Sequence, residues 1–193
     1  MKEIIERIKN GKYLTSEEQL LMLYHPARLE LLKMYLRKYS LCKEVQLKML
    51  ELQERAVFLK MYIQKCSRLN DEVEVKLFEL PERDKLLKIY IQECTLGAEA
   101  QLKMLDLPER VELLKMYIQV WGCLNAKAEV KMLELPEKLE LLRICVQCYF
   151  LSTEAQLKML EMPEKAKLLE IYLSGWHCLC DEAVKKAYKL GLM

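Results

Sequence analysis

Apolar residues recur along this chain at steps of three and four, the spacing that puts them on one side of an α-helix. In one segment they are Leu86, Leu87, Ile89, Tyr90 and Ile91. At 100° per residue these positions span about 200° of the helix circumference. Neighbouring elements must therefore pack against this helix on more than one side. A shorter apolar pattern follows each long one, as at 153–161. The chain therefore predicts pairs of helices, a longer one and then a shorter one.

The prolines mark one position of a repeat, which we call the proline slot. Met-Leu-Glu-Leu-Pro-Glu occupies 132–137, and closely similar strings occupy 104–109 and 159–164. Gln53 and Gly191 fill the slot where proline is missing. The slot falls at 26, 53, 81, 108, 136, 163 and 191, in alternating steps of 27 and 28 residues. Because proline is tolerated where a helix starts, each slot predicts the beginning of a longer helix.

A leucine recurs twelve residues before each proline slot and predicts where the shorter helix begins. It stands at 14, 41, 69, 96, 124, 151 and 179. Residues that cap helix starts follow several of these leucines, namely Thr15, Asn70, Asn125, Ser152 and Asp181. The extra residue of alternate repeats lies after the longer helix, so the larger period is 55 residues, which indicates duplication of a four-helix unit.

Over residues 14–191 this pattern resembles the α-solenoid class, in which HEAT-like and tetratricopeptide-like arrays stack helix pairs. The likeness is architectural, since the signatures of those families are absent. It implies an all-α, right-handed solenoid of about six two-helix repeats. We expect one domain over 1–193, with an N-terminal cap helix in 1–13, repeats in 14–180 and a C-terminal cap helix in 181–193. The chain is expected to be a complete array.

Composition and charge indicate the cellular environment of the protein. The 31 basic and 29 acidic residues leave a net charge of +2, which exerts no strong pull on nucleic acid or an anionic membrane. The N-terminal segment carries acidic residues, unlike a signal peptide, and no apolar run is long enough to span a bilayer. The eight cysteines fit reduced thiols in a helix-rich protein. We expect a cytoplasmic protein without a membrane partner or a cofactor.

Two columns of cations raise the alternative of a modular nucleic-acid-binding protein. The column on the longer helices contains Lys33, Lys60, Lys88, Lys115 and Arg143. The column on the shorter helices contains Lys48, Lys76, Lys103, Lys131, Lys158 and Lys186. A regular row of cations can follow a phosphate backbone. However, a glutamate precedes most lysines of the second column by four residues, the favourable order for an ion pair within one helix. A solvated face is therefore preferred, and a nucleic-acid partner is disfavoured.

Near the C-terminus, Cys148, His177 and Cys178 are the residues that could bind a metal ion. Thiolates and an imidazole suit zinc. Cys145, three residues before Cys148, instead belongs to a column otherwise filled by tyrosine, where a buried thiol acts as a small apolar group. That column and the recurring methionines read as core. We predict no metal site.

The most variable positions lie at the ends of the longer helices. Aromatic and histidine residues collect there, and Tyr and Trp are enriched at binding hot spots. The predicted partner-binding residues are Tyr39, Trp121, Tyr149, Phe150, Trp176 and His177. The competing interpretation is that these rings fill gaps between paired helices. No catalytic constellation is recognisable, so we expect a non-catalytic scaffold for a protein or peptide partner. The remaining alternative is a purely structural or designed array.

Overall fold

The helices follow one another with only turns and short loops between them. The computed structural model describes residues 2–65, 68–175 and 177–193. The helices in these ranges are α1 (Lys2–Lys9), α2 (Ser16–Leu23), α3 (Arg28–Tyr35), α4 (Lys43–Glu51), α5 (Arg55–Ile63), α6 (Asp71–Leu77), α7 (Arg83–Glu93), α8 (Ala98–Met104), α9 (Arg110–Trp121), α10 (Ala126–Glu134), α11 (Lys138–Cys145), α12 (Thr153–Met159), α13 (Lys165–Ser174) and α14 (Asp181–Lys189). The same ranges contain no strand. None of these helices has the length and apolar character needed to cross a bilayer.

Each shorter helix begins two residues after the recurring leucine, and a side-chain cap explains this start in four of them. At α2, the Thr15 hydroxyl accepts a hydrogen bond from the Glu18 amide, and the Glu18 carboxylate accepts one from the Thr15 amide. This reciprocal pair satisfies two amides that the helix itself leaves without partners. The side chains of Asn70, Asn125 and Ser152 cap α6, α10 and α12. These four predicted caps are confirmed, whereas Asp181 lies inside the first turn of α14, after Cys180 at the cap.

A β-turn at the proline slot starts each longer helix. In the third repeat, the Arg83 amide donates to the carbonyl of Leu80 across Pro81 and Glu82, at 3.0 Å. Glu82 has φ −99° and ψ 24°, close to the third residue of a type I turn. Proline suits the second residue of this turn because its ring holds φ near the required value. The helix therefore begins two residues after the slot, and the proline lies in the turn ahead of it.

The chain forms two compact units, residues 1–96 and 97–193. In the first unit, α2, α4 and α6 pack in sequence order, and each packs against the longer helix that follows it. Among the longer helices of that unit, α5 packs against α7. In the second unit, α8, α10, α12 and α14 pack in sequence order, as do α9, α11 and α13. Each unit thus has a layer of shorter helices and a layer of longer helices.

The tyrosines and methionines predicted as core lie between these layers. Tyr35, Tyr62, Tyr90, Tyr117 and Tyr172 are all buried. So are Met22, Met49, Met104, Met132 and Met159. The tyrosine hydroxyls also carry hydrogen bonds: that of Tyr90 accepts from the Leu69 amide, and that of Tyr117 accepts from the side-chain amide of Gln101. These hydrogen bonds tie a longer helix to the shorter helix before it or to the loop that precedes that helix.

A buried polar column, which sequence analysis did not identify, joins successive repeats. Its members stand five residues after the recurring leucine and are Gln19, Gln46, Glu74, Gln101, Glu129 and Gln156. Gln46 shows the arrangement. Its amide nitrogen donates to the Leu41 carbonyl at 2.9 Å and to the Tyr62 hydroxyl at 3.0 Å, and its amide oxygen accepts from the Asn70 backbone at 2.9 Å. A side chain of one repeat thus accepts a hydrogen bond from the main chain at the cap of the next shorter helix.

Candidate functional site

Among the predicted partner-binding residues, Tyr39 is engaged within the first unit. Its hydroxyl donates to the Gly11 carbonyl at 2.6 Å. Its ring packs against Tyr13 and Tyr35, with centroids 5.6 and 5.3 Å away. These contacts fasten the turn after α3 to the segment that follows α1. Tyr39 therefore fills a gap between elements, in keeping with the structural interpretation of this position.

In the second unit, Tyr149 takes the place of a missing core tyrosine. The tyrosine column is interrupted at Cys145, and the buried Tyr149 hydroxyl lies beside that thiol and Glu129. Burial raises the pKa of Tyr149 and brings that of Cys145 to about 12. A thiol with so high a pKa stays protonated at neutral pH, so Cys145 behaves as a core residue.

The other predicted residues differ in exposure. The ring of Phe150 is 63% exposed and meets the His177 ring edge-on, with centroids 4.4 Å apart. The His177 Nε2–H donates to the Val146 carbonyl at 2.7 Å. Trp121 is half-buried at the end of α9, and Trp176 lies outside the described residues. Phe150 is thus the most exposed residue among the described members of the predicted set.

The potential metal ligands do not form a cluster in the described part of the chain. Cys148 and Cys178 are exposed thiols, and one ring nitrogen of His177 is already bound to a carbonyl. Within residues 2–65, 68–175 and 177–193, no group of three or more His, Cys, Asp or Glu side chains is placed to hold a metal ion.

Acidic partners neutralise most of the cation column on the shorter helices. In the first unit, Lys48 pairs with Glu51 at 2.7 Å and Lys76 with Glu79 at 2.6 Å. In the second unit the pairs connect neighbouring repeats: Lys131 with Asp106, Lys158 with Glu134 and Lys186 with Glu161, at 2.6–2.7 Å. The partners differ from the glutamates four residues earlier that the sequence suggested. The preferred interpretation of a charge-balanced face nevertheless fits these pairs.

A second row of ion pairs, not foreseen from the sequence, runs along the starts of the longer helices. A cation two residues after one slot pairs with the glutamate that follows the next slot. The pairs are Arg28 with Glu54, Arg55 with Glu82, Arg110 with Glu137 and Lys138 with Glu164. Hydrogen bonds from Arg28 and Arg110 lower the pKa of Glu54 and Glu137, respectively. This row occupies acidic residues that could otherwise balance the cations further along the longer helices.

Four exposed cations on or just after the longer helices of the first unit have no acidic partner in the described part of the chain. Lys33, Arg37, Lys60 and Lys85 form no ion pair with any residue that the structure describes. Residues 1–96 contain 18 basic and 15 acidic side chains, whereas residues 97–193 contain 13 and 14. The excess positive charge of the chain therefore belongs to the first unit, and part of it lies unbalanced on the longer helices.

A groove of about 350 Å³ runs between α5 and α7 and combines apolar and basic side chains. Its α5 side presents Val57, Lys60, Met61 and Gln64, which share one helix face at steps of three and four. Lys85 and Ile89 line the α7 side. Val57 is 50% exposed, and Met61 and Ile89 are half-buried. The groove thus has an apolar floor and two lysines that form no ion pair with the residues that the structure describes.

Comparison with protein-family models, curated proteins and solved structures found no match. Any function of the groove must therefore be argued from its own geometry.

A second groove, of about 250 Å³, lies between α9 and α11, at the positions 55 residues further along the chain. Lys115 and Ile144 stand where the first groove has Lys60 and Ile89. The charges differ, because Glu140 replaces Lys85 and lies 3.4 Å from the Lys115 amine. Glu112 stands at the position of Val57. The second groove is thus related to the first by the repeat, but Glu140 offsets Lys115 in its lining and leaves Arg143 as the remaining cation there.

The two acidic members of the buried polar column have different surroundings. Arg68 donates to Glu74 at 2.7 Å, and the Tyr90 hydroxyl donates to the same carboxylate at 2.5 Å. Glu129 accepts from the Ser152 backbone at 2.8 Å. The position corresponding to Arg68 is Cys123, which provides no positive charge. Burial raises the pKa of Glu129, and hydrogen bonds from Ser152 oppose the rise.

Proposed function

We propose that this chain is a non-catalytic interaction module that presents the longer helices of its first unit to a protein or peptide partner. The proposal includes the finer architecture predicted from the sequence, a right-handed α-solenoid of about six two-helix repeats. Supporting it are the helix starts at constant distances from the recurring leucine and the proline slot, and the layered packing of helices inside each unit. Stacked repeats of this kind expose continuous surfaces that suit extended partners.

The main support for the proposal is the difference in charge balance between the two layers of the first unit. On the shorter helices, Lys48 and Lys76 are balanced by acidic neighbours. On the longer helices of the same unit, Lys60 and Lys85 border exposed apolar surface and have no ion-pair partner among the described residues. Positive charge beside exposed apolar surface is a combination that a partner can both neutralise and cover.

Catalysis is not part of the proposal, because the buried acidic residues have structural roles. Glu74 and Glu129 both belong to the buried polar column and accept hydrogen bonds inside it. Phe150 is retained as an additional contact candidate, since its ring is exposed. The cytoplasm stays the predicted location.

Selection from a random twelve-residue peptide library displayed on phage tests the proposal without assuming a partner. The immobilised full chain should enrich a related set of peptides. These peptides should bind less to a Val57→Asp variant and equally well to a Leu21→Asp variant, which changes an equally exposed apolar residue on a shorter helix. Failure to enrich peptides above an uncoated surface would refute the proposal and favour a purely structural array.

The nucleic-acid alternative has one observation in its favour: Lys33, Lys60 and, just after α3, Arg37 have no ion-pair partner among the described residues. Fluorescence anisotropy with a labelled single-stranded oligonucleotide tests it, using a titration of salt. Binding to a phosphate backbone weakens steeply as salt rises because counterions are released. Tight binding with such a slope would promote this alternative, and no binding at low salt would remove it.

A further inference from the structure

Resting on this proposed function, we infer that the groove between α5 and α7 binds an acidic linear peptide that inserts one or two apolar side chains. The partner is thus defined by carboxylates flanking an apolar anchor. Each part of this description corresponds to groups that the groove presents.

The floor of the groove accounts for the apolar anchor. Val57, Met61 and Ile89 line it, and Val57 is 50% exposed. A cavity of about 150 Å³ lined by apolar side chains is enough to hold a benzene molecule. The groove, at about 350 Å³, has room for one or two apolar side chains of a peptide. Covering this surface removes apolar area from water, which favours binding.

The lysines account for the acidic flanks. Lys60 lies on α5 and Lys85 on α7, so the groove has a cation on each side. Acidic residues nearby have other partners: Glu54 pairs with Arg28, Glu82 with Arg55, and Asp84 with Arg83. An incoming carboxylate therefore does not have to displace an internal ion pair. A nucleic acid would satisfy the lysines but would leave the apolar floor without a matching group.

The groove between α9 and α11 provides an internal comparison. Lys115 is already paired with Glu140, and Glu112 stands where the first groove has Val57. Lys115, Arg143 and Glu140 give the lining of the second groove a net charge of +1, against +2 from Lys60 and Lys85 in the first. An acidic peptide therefore meets weaker positive charge there and no counterpart of the exposed Val57, so we expect one binding site per chain. The pair of replacements Glu112→Val and Glu140→Lys should convert the second groove into a second site.

The test uses three fluorescein-labelled peptides and the full chain in fluorescence anisotropy titrations at low salt. The first peptide, EEELLEEE, should bind at one site per chain. The second, EEEGGEEE, lacks the apolar anchor, and the third, KKKLLKKK, reverses the charge. EEEGGEEE should bind at least about tenfold more weakly, because it loses the burial of its leucine side chains. KKKLLKKK should also bind at least about tenfold more weakly, because a unit-charge contact in water is worth roughly a factor of five and the contacts to both groove lysines become repulsive.

Matched variants locate the site. Lys60→Glu/Lys85→Glu should weaken EEELLEEE binding at least about tenfold. Lys48→Glu/Lys76→Glu imposes the same change of net charge on the shorter helices and should leave the affinity within about twofold. Both pairs replace exposed side chains, and far-ultraviolet circular dichroism confirms that each variant is folded. Glu112→Val/Glu140→Lys should raise the stoichiometry from one to two.

Equal binding of EEELLEEE and EEEGGEEE would overturn the inference in favour of a general polyanion surface. Equal loss in the two lysine pairs, or no second site after conversion of the α9–α11 groove, would overturn it as well. If the phage library yields peptides that bind through Val57 but EEELLEEE does not bind, this inference fails while the proposed function stands. If neither probe binds, both fail.

Discussion

Replacing Glu129 with glutamine should stabilise the second unit at neutral and alkaline pH. Glu129 is 2% exposed and accepts one hydrogen bond from the Ser152 backbone, and Cys123 stands where a compensating arginine would be. Glutamine keeps the accepting oxygen. Its nitrogen can donate to the Leu124 carbonyl, as Gln156 donates to that of Leu151 at 2.9 Å. The substitution therefore restores the residue found at most positions of the buried polar column.

The magnitude follows from burying a carboxylate without a cation. A buried polar group that lacks adequate partners costs about 1–3 kcal/mol. Because hydrogen bonds from Ser152 offset part of the cost, we expect a gain of about 1–2 kcal/mol in the free energy of unfolding. For a chain of this size each kcal/mol raises Tm by roughly 2–4 °C. Glu74→Gln is the matched control. Glu74 is ion-paired to Arg68 at 2.7 Å, so that substitution should give no gain.

The dependence on pH provides the sharper test. Burial raises the pKa of Glu129 in the folded chain above its value in the unfolded chain. Folding therefore takes up a proton in the interval between the two pKa values, and stability is lost as pH rises through the folded pKa. Glu129→Gln should remove that loss, so its advantage over the native chain should be small near pH 4 and full near pH 8.

Urea unfolding followed by circular dichroism at 222 nm, for the native chain and both variants across this pH range, measures these differences. The groups facing Glu129 include Tyr149 and Cys145, whose raised pKa values leave them neutral over the same range. An advantage that does not change with pH would refute the electrostatic reasoning. So would a gain from Glu74→Gln equal to that from Glu129→Gln.

Two further substitutions test the turns. Gln53→Pro should raise stability by about 0.4–1 kcal/mol in thermal unfolding. The Arg55 amide closes the same β-turn as in the other repeats, and Leu52, at φ −74° and ψ 154°, has the extended conformation that precedes proline. Destabilisation would show that this turn differs from the others. Gly122→Ala should lower stability by about 1–2 kcal/mol in urea unfolding. Gly122 ends α9 in the left-handed region at φ 82°, and an added Cβ would meet open space, so the cost is the backbone conformation alone. An unchanged midpoint would contradict the assigned conformation.

The starts of the helices could be predicted from the sequence because the information is local. The recurring leucine and the proline slot each precede a helix by two residues throughout the described repeats. Cap residues such as Thr15 and Ser152 act within three residues of themselves. The tyrosine column was likewise recognisable as core, because one residue type recurs on the apolar face of a helix.

The ion pairs could not be predicted in the same way, because many of their partners lie in different repeats. The Lys131 amine, for example, contacts Asp106 of the preceding repeat. The buried polar column was missed for a different reason. A glutamine on a short, charged helix resembles a solvated residue, although its recurrence five residues after each leucine was an available signal. The groove likewise depends on the alignment of α5 and α7, which no single helix pattern defines.

The buried polar column affects which residues of the sequence can change without loss of the contacts between repeats. Each described hydrogen bond from the column to the next repeat is donated by a main-chain amide. The residues that supply these amides include Cys42, Asn70, Asn125, Ser152 and Cys180. Every residue except proline carries that amide. This hydrogen bond therefore places almost no demand on the side chain of its donor, although Asn70, Asn125 and Ser152 also use their side chains to cap the following helix. Cys42 and Cys180 have no such role, so mutation can change these side chains while the connection between repeats persists. At these two positions the packing of the repeats and the chemistry of the surface can evolve separately.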